Sequence, residues 1–253
     1  MRFFSVLRSR FLRRPPVISL LHATRQRPER ALSCRRLWLE AAADRGRVEH
    51  LFAIDPDDAE SAAALQGTPV HTVRETGKGC IGAWNLAAEH STGDILVQLS
   101  DDWLPVPGWD RIFAERLQPV RRPRVLRISD GHRNDDLLCM AILTRARMQQ
   151  QGWFLPPAYT GVYSDDEFSF RAFEDGVVVD ARDVVLVHEH PNYDTSVDMD
   201  ETYRQQNDNS KYAAAKAIFL ERNPGAKKRW FIKGNWSERK WLPPAPVSAG
   251  KKS

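Results

Sequence analysis

The chain is poor in cysteine, with three among 253 residues. Cys34, Cys80 and Cys139 lie far apart and show neither CxxC nor metal-finger spacing. That leaves no disulfide framework and points to reduced thiols in a cytosol-type compartment. Long apolar runs are also missing. Nothing approaches the ~20 residues that span a bilayer, which argues against an integral membrane helix. There is no internal repeat, no complete P-loop and no GxGxxG fingerprint. The turn at Gly77-Lys78-Gly79 is by itself only a flexible turn.

Charge is present but unevenly placed. Of the 37 basic and 33 acidic residues, residues 1–30 hold eight arginines and one glutamate. Residues 221–253 hold nine lysines or arginines and two glutamates, which leaves the middle with 20 basic and 30 acidic residues. The basic character therefore belongs to the ends, and an acidic middle weighs against a nucleic-acid-binding core. Residues 1–15 read as a basic amphipathic leader, with Phe3, Phe4, Leu7 and Phe11 near one helical face. Such a stretch suits peripheral contact with an anionic membrane, an organelle-targeting peptide, or a leader with no task. Residues 221–253 form a basic aromatic extension in which Trp230, Trp236 and Trp241 suggest packing or partner contact. Its Pro/Ala/Gly/Lys end reads as disordered. The expected organisation is thus one catalytic domain over 16–220 between two basic ends, in a cytoplasmic protein with peripheral membrane contact as its further expectation.

Within that domain apolar strands alternate with helical segments. The run 17–21 ends at Thr24-Arg25, and a helix is expected over 29–39. The run 51–54 delivers Asp55, followed by a short helix over 59–65. A strand near 70–73 and the glycine turn lead to a helix over 81–89 and then to "DILVQLSDDWLPVPGW". There an apolar strand ends in Asp101-Asp102, and the prolines at 105 and 107 hold off the next helix until Gly108 or Trp109. Strand–helix alternation implies a mostly parallel sheet, so these polar strand ends gather on one edge, where open α/β sheets bind ligands.

The second half differs in texture. A strand is expected over 125–131, then a strand leading into a helix over 137–153. "YSDDEF" sets Asp165-Asp166-Glu167 before an amphipathic helix, and Ser164 or Asp165 there matches a helix-capping signature. "VVVDARDVVLVHEHP" closes the domain with two short strands. His188 and His190 are two apart, so they share one face and suit either a shared metal ion or strand-end hydrogen bonds.

Together "PVISLLHATRQRPERA", "FAIDPDD", "GCIGAWNLAAEHSTGDILVQLSDDW", "YSDDEF" and "LVHEHP" resemble the family-2 type of inverting glycosyltransferase with the GT-A fold. The resemblance covers roughly Pro16 to Pro191. It implies a GT-A-type nucleotide-diphospho-sugar transferase fold with a mostly parallel central sheet flanked by helices. It also implies a hexosyltransferase-like activity on a nucleotide-diphosphate sugar donor and a carbohydrate or other hydroxyl acceptor. The family's Asp-x-Asp motif falls on Ser100-Asp101-Asp102, with Ser100 in place of the first aspartate. Asp102 is then the leading ligand for Mn²⁺ or Mg²⁺, and Ser100 or Asp101 touches the donor ribose or the metal. The resemblance gives the nucleoside to Thr24, Arg25 and Asp55, places Asn85 near the donor, and adds a late metal ligand from His188 or His190. The general base falls on Asp165 first and Asp166 next.

The chemistry asks for these groups. A departing nucleoside diphosphate develops negative charge that a carboxylate-held divalent ion neutralises, and a hydroxyl acceptor needs a base for its proton. A nucleotidyltransferase or a metal-dependent hydrolase could use the same acidic edge. "LLHATRQRP" lacks the glycine loop of the former, and the remaining histidines show no compact ligand spacing for the latter. A noncatalytic polyanion-binding module would rest on the terminal charges alone.

Overall fold

The computed structural model of the chain describes residues 14–75, 77–191, 197, 204, 209–232 and 239–244. The expected leader, Trp236 and the expected disordered end lie wholly or almost wholly outside these residues. The strands are β1 (Ile18–Ala23), β2 (Val48–Ile54), β3 (Val70–Thr72), β4 (Ile95–Leu99), β5 (Trp103–Leu104), β6 (Val125–Ser129), β7 (Ile142–Thr144), β8 (Val178–Val185), β9 (Val187–His188), β10 (Trp230–Ile232) and β11 (Arg239–Trp241). The α-helices are α1 (Pro28–Ala41), α2 (Ala59–Ala64), α3 (Gly79–His90), α4 (Trp109–Arg116), α5 (Arg145–Gln151), α6 (Ser164–Glu174), α7 (Asn209–Arg222) and α8 (Ala226–Arg229).

Seven strands form the central sheet in the order β3-β2-β1-β4-β7-β6-β8. β1, β2, β3 and β4 run parallel, β7 is antiparallel to both β4 and β6, and β6 is parallel to β8. Two reversals restore direction, so the carboxyl end of β6 lies on the same edge as those of β1, β2 and β4. The mostly parallel sheet expected from strand–helix alternation is what forms.

Side-chain alternation explains why both faces are covered. Along β4, Ile95, Val97 and Leu99 enter one core with Trp38, Trp109 and Phe113. Leu96 faces the other, with Trp84, Phe168 and Phe219. Successive residues on a strand point to opposite faces, so a strand buried on both must be apolar throughout. Full burial of each such side chain stabilises by about 1.5–3 kcal/mol.

The basic aromatic extension is not separate from this core. Trp230 is 4% exposed and packs with Phe170 and Phe173. Phe173 also stacks on Trp241 at 5.5 Å. Trp230 and Trp241, beyond the boundary expected at 220, thus pack against the core over α6. Among the described residues no helix is long and apolar enough to cross a membrane, and all three cysteines are free.

Candidate functional site

The loop after β1 and the loop after β2 are tied together. Arg25 Nη1 donates to Asp55 Oδ2 at 2.6 Å and to Asp57 Oδ1 at 2.7 Å, while Nη2 reaches Asp57 Oδ2 at 2.9 Å. Asp57 and Asp55 hold the Arg25 guanidinium firmly protonated despite its partial burial. The Gln26 N–H donates to Asp58 Oδ2, and Asp58 also caps α2 by accepting from the Ser61 N–H. One Asp55 oxygen, Oδ1, is buried and has no hydrogen-bond partner among the described residues. An unpaired buried acceptor costs about 1–3 kcal/mol, so it marks a place where a ligand N–H would be welcome. Asp57 was missed as a site residue in the sequence, although it stands in the same "FAIDPDD" run.

Asp101 turns inward. His22 Nε2 donates to Asp101 Oδ1 at 2.8 Å and Thr24 Oγ1 donates to Oδ2 at 3.0 Å. His22 Nδ1 lies 3.1 Å from His50 Nε2, and burial together with His22 keeps His50 neutral. Both carboxylate oxygens of Asp101 are therefore engaged within the protein, in place of the donor contact expected for it. Thr24 is likewise buried and spends its hydroxyl on Asp101. The His22–His50 pair carried no signal in the sequence, because it forms only when β1 and β2 pair.

Asp102 faces a different set of groups. Ser100 Oγ donates to its Oδ1 at 2.7 Å, and His188 Nε2 lies 3.3 Å from its Oδ2. The short ladder β5–β9 makes this contact, pairing Trp103 with His188. The Glu189 N–H donates to the Asp102 carbonyl at 2.8 Å, and the His188 ring stacks on Trp103 at 4.1 Å. His190 follows with its ring 5.2 Å from that of His188. Burial, then the charge of His188, lowers the His190 pKa to about 4. A neutral imidazole is the form that ligates metals.

Among the described residues no group of three or more His, Cys, Asp or Glu is placed to hold a metal ion. The donor set that is present, one carboxylate with one or two imidazoles, still fits an ion shared with a substrate. Mg²⁺ is commonly held by one or two carboxylates with phosphates and water completing the shell, and Mn²⁺ accepts the same hard donors. Asp102, with His188 or His190 beside it, would hold it.

Asn85 has a structural task. Its Oδ1 accepts from the Phe154 and Leu155 N–H groups at 3.0 and 3.1 Å, and its Nδ2 donates to the Leu155 carbonyl at 2.9 Å. The amide expected near the donor is thus spent on the loop between α5 and α6. The same helix, α3, begins at Gly79 with φ +60. A Cβ on Gly79 would sit 2.0 Å from the Thr160 carbonyl oxygen. Only glycine allows this approach of α3 to the loop that leads into α6, which gives the glycine turn a role its motif did not reveal.

The acidic cluster at the start of α6 divides three ways. The residue before the helix, Tyr163, is left-handed with φ 67, and no side chain caps the helix. Ser164 Oγ donates to the Gly161 carbonyl instead, so Ser164 does not cap the helix, and among the described residues Asp165 Oδ1 accepts only from the N–H of its neighbour Asp166, at 3.0 Å. Glu167 is fully buried, accepting from Tyr159 and pairing with Arg171 and Arg222. Asp166 is 1% exposed and accepts from Trp230 Nε1 at 2.8 Å and Arg239 Nε at 3.0 Å. The carboxylate of Asp166, the second choice for a base, is engaged by these internal contacts. Asp165 forms no ion pair among the described residues. Burial, then the adjacent charge of Asp166, pushes its pKa up to about 6. Burial, and to a smaller degree the charges of Asp165 and Asp55, raise the Cys80 pKa at the start of α3.

No protein-family model and no curated protein matches the chain. Solved structures do. A mannosyltransferase, PcManGT from Pyrobaculum calidifontis in complex with GDP-Man and Mn²⁺, superposes with a TM-score of 0.57 at 14% identity, over 85% of this chain and 76% of that one. S. aureus TarS residues 1–349 in complex with UDP-GlcNAc gives 0.55 at 11% identity, over 84% and 73%. Against the longer S. aureus TarS chain the TM-score is 0.55 at 13% identity, and the match spans 43% of that chain. Together with the seven-stranded, mostly parallel sheet flanked by helices, these likenesses give the chain a GT-A-type fold.

Proposed function

We propose that the protein is a glycosyltransferase that moves a hexosyl group from a nucleotide-diphosphate sugar to a hydroxyl acceptor, with inversion and with a divalent ion. The observation that carries this reading is the division of labour among three carboxylates. Asp102 meets His188, and among the described residues Asp55 keeps a buried oxygen without a hydrogen-bond partner and Asp165, at the start of α6, has a raised proton affinity and no ion-pair partner.

Each group has a task in that reaction. Asp55 accepts an N–H of the base, with Arg25 beside it, and Thr24 holds Asp101 behind that edge. Asp102, with His188 or His190, would hold Mn²⁺ or Mg²⁺, which when bound would supply Lewis-acid neutralisation of the diphosphate. Asp165 takes the proton of the acceptor hydroxyl as its oxygen attacks the anomeric carbon. The bond from that carbon to the diphosphate oxygen breaks, and the nucleoside diphosphate leaves with the electron pair. A carboxyl with a pKa near the working pH combines availability as a base with driving force for proton transfer. One displacement of this kind inverts the anomeric centre.

The test is a thermal-shift series with nucleoside diphosphates with and without Mn²⁺, followed by transfer assays with the matching sugar donors. Binding to the native state raises apparent stability. A metal-dependent shift with donor-dependent sugar transfer supports the reading. Pyrophosphate release from nucleoside triphosphates, or salt-sensitive polyanion binding without turnover, overturns it.

A further inference from the structure

The C-terminal segment grips α6 at three of its carboxylates. Asp166 takes Trp230 and Arg239, Glu167 takes Arg222, and Glu174 takes Arg229 Nη1 at 2.6 Å and Trp241 Nε1 at 2.8 Å. Arg239 is fixed by its backbone as well. Its N–H donates to Asp135 Oδ2 at 2.9 Å, and its carbonyl accepts from the Asp136 N–H at 2.7 Å. A solvated basic tail would form exposed pairs of little consequence. Here the carboxylates of Asp166 and Glu167 are almost wholly buried, and a buried charge left without its partner is strongly destabilised. The grip takes Asp166 and Glu167 and leaves Asp165 out.

We propose that the C-terminal segment is part of the acceptor half of the site, with Trp230 and Arg239 acting as positioning residues that hold Asp165 through Asp166. This rests on the reading of Asp165 as the base. The titratable and charged groups that act on Asp165 are Asp166 on its own helix, Tyr163 just before it, Arg239 on β11, Arg133 in the loop after β6, and Cys80 at the start of α3. Arg239 is paired with Asp166, whose N–H donates to Asp165 Oδ1 at 3.0 Å, so the Asp166 clamp couples the arginine to the base. With the clamp closed, Arg239 stays on Asp166, and Asp165 remains available to a hydroxyl. With Asp166 neutral, the Arg239–Asp166 ion pair is lost and the arginine's charge bears more strongly on Asp165.

The experiment measures single-turnover rate against pH, and donor affinity, for full-length wild type, Asp166→Asn, Arg239→Gln, Arg239→Lys and Trp230→Phe. Asp166→Asn removes a like charge beside the base, so the acid limb of its rate profile moves to lower pH. Arg239→Gln lowers the rate by roughly 10–100-fold, the scale of a slightly misplaced catalytic group, with donor affinity unchanged. Arg239→Lys restores part of the rate because the cation returns. Trp230→Phe keeps the ring packing, removes only the N–H, and lowers the rate in the same direction. Rates and acid limbs equal to wild type in Arg239→Gln and Trp230→Phe, with only melting temperature reduced, overturn the proposal. Asp165→Asn at full activity shows that the base assignment has failed instead; an inactive Asp165→Asn beside unaltered clamp variants sinks this inference alone.

Discussion

His188 Nε2 lies 3.3 Å from Asp102 Oδ2, joining the last strand of the domain to the acidic turn after β4. Neither residue reaches the other by local structure. The two-residue ladder of β5 and β9 brings them together, and the His188 ring is held flat on Trp103. On the proposed reading these two side chains would supply part of a metal shell that a donor diphosphate and water complete.

Asp102→Asn keeps the side chain's shape and its Ser100 contact but removes the anionic ligand. Mn²⁺-dependent affinity for the donor nucleotide is expected to fall, with melting temperature near wild type. His188→Ala is expected to raise the Mn²⁺ requirement by about 10–100-fold, the range seen when a partner around a metal site is lost. Titration calorimetry of nucleoside diphosphate with and without Mn²⁺ reads both. Metal-dependent binding that is the same in both variants as in wild type removes these residues from the metal site.

The sheet edge was legible in the sequence, and the pairing across it was not. Apolar runs ending in Thr24, Asp55 and Asp101-Asp102 announce parallel strands whose polar ends must meet, because strand period and crossover geometry act locally. Asp101 and Asp102 are adjacent and chemically alike, so the sequence could not show that one faces His22 and the other His188. Asp165 and Asp166 pose the same difficulty. What separates them is Trp230 and Arg239, 64 and 73 residues beyond Asp166, which only tertiary packing brings near. Asn85 looked like a donor contact for the same reason, since its partner Leu155 is 70 residues away.

His22 and Asp101 are expected to behave as one unit. His22→Phe leaves Asp101 with Thr24 as its remaining side-chain donor, and loses a hydrogen bond to a charged group worth about 1.5–3 kcal/mol. Asp101→Asn weakens the same contact from the other side. The double variant is expected to cost less than the two single changes together, by roughly 0.5–3 kcal/mol of coupling. Urea unfolding of the three variants measures this. Strict additivity contradicts a shared hydrogen bond.

Gly79→Ala tests the seam between the two halves of the site. A left-handed conformation costs a non-glycine residue about 1–2 kcal/mol, and the new methyl meets the Thr160 carbonyl at 2.0 Å, where backbone cannot yield cheaply. Chemical denaturation is expected to show a loss of at least that size. Turnover is expected to fall as well, since Thr160 precedes the helix that carries Asp165. A variant as stable as wild type removes the close approach as a requirement of the fold.

Asp165→Asn separates base from scaffold, and the pH dependence gives it two independent readings. The folded protein holds the Asp165 carboxyl at about 6, above its ordinary 3.8, mainly through burial and then through Asp166. Folding therefore favours the protonated form. Its stabilising share is fully present below about pH 4 and is lost as pH rises through 6. Asparagine mimics the protonated state, so Asp165→Asn is expected to melt above wild type at pH 7–8, by on the order of a few degrees, with the gap closing toward pH 4. Catalysis runs the other way. A base must be ionised, so the wild-type single-turnover rate is expected to fall as pH drops through about 6. The variant is expected to bind donor normally and to turn over roughly 10²–10⁴-fold more slowly at every pH. A variant more stable and nearly inactive is what an active-site carboxyl predicts. One that melts lower and turns over normally makes Asp165 a structural residue and moves the proton acceptor elsewhere on this edge.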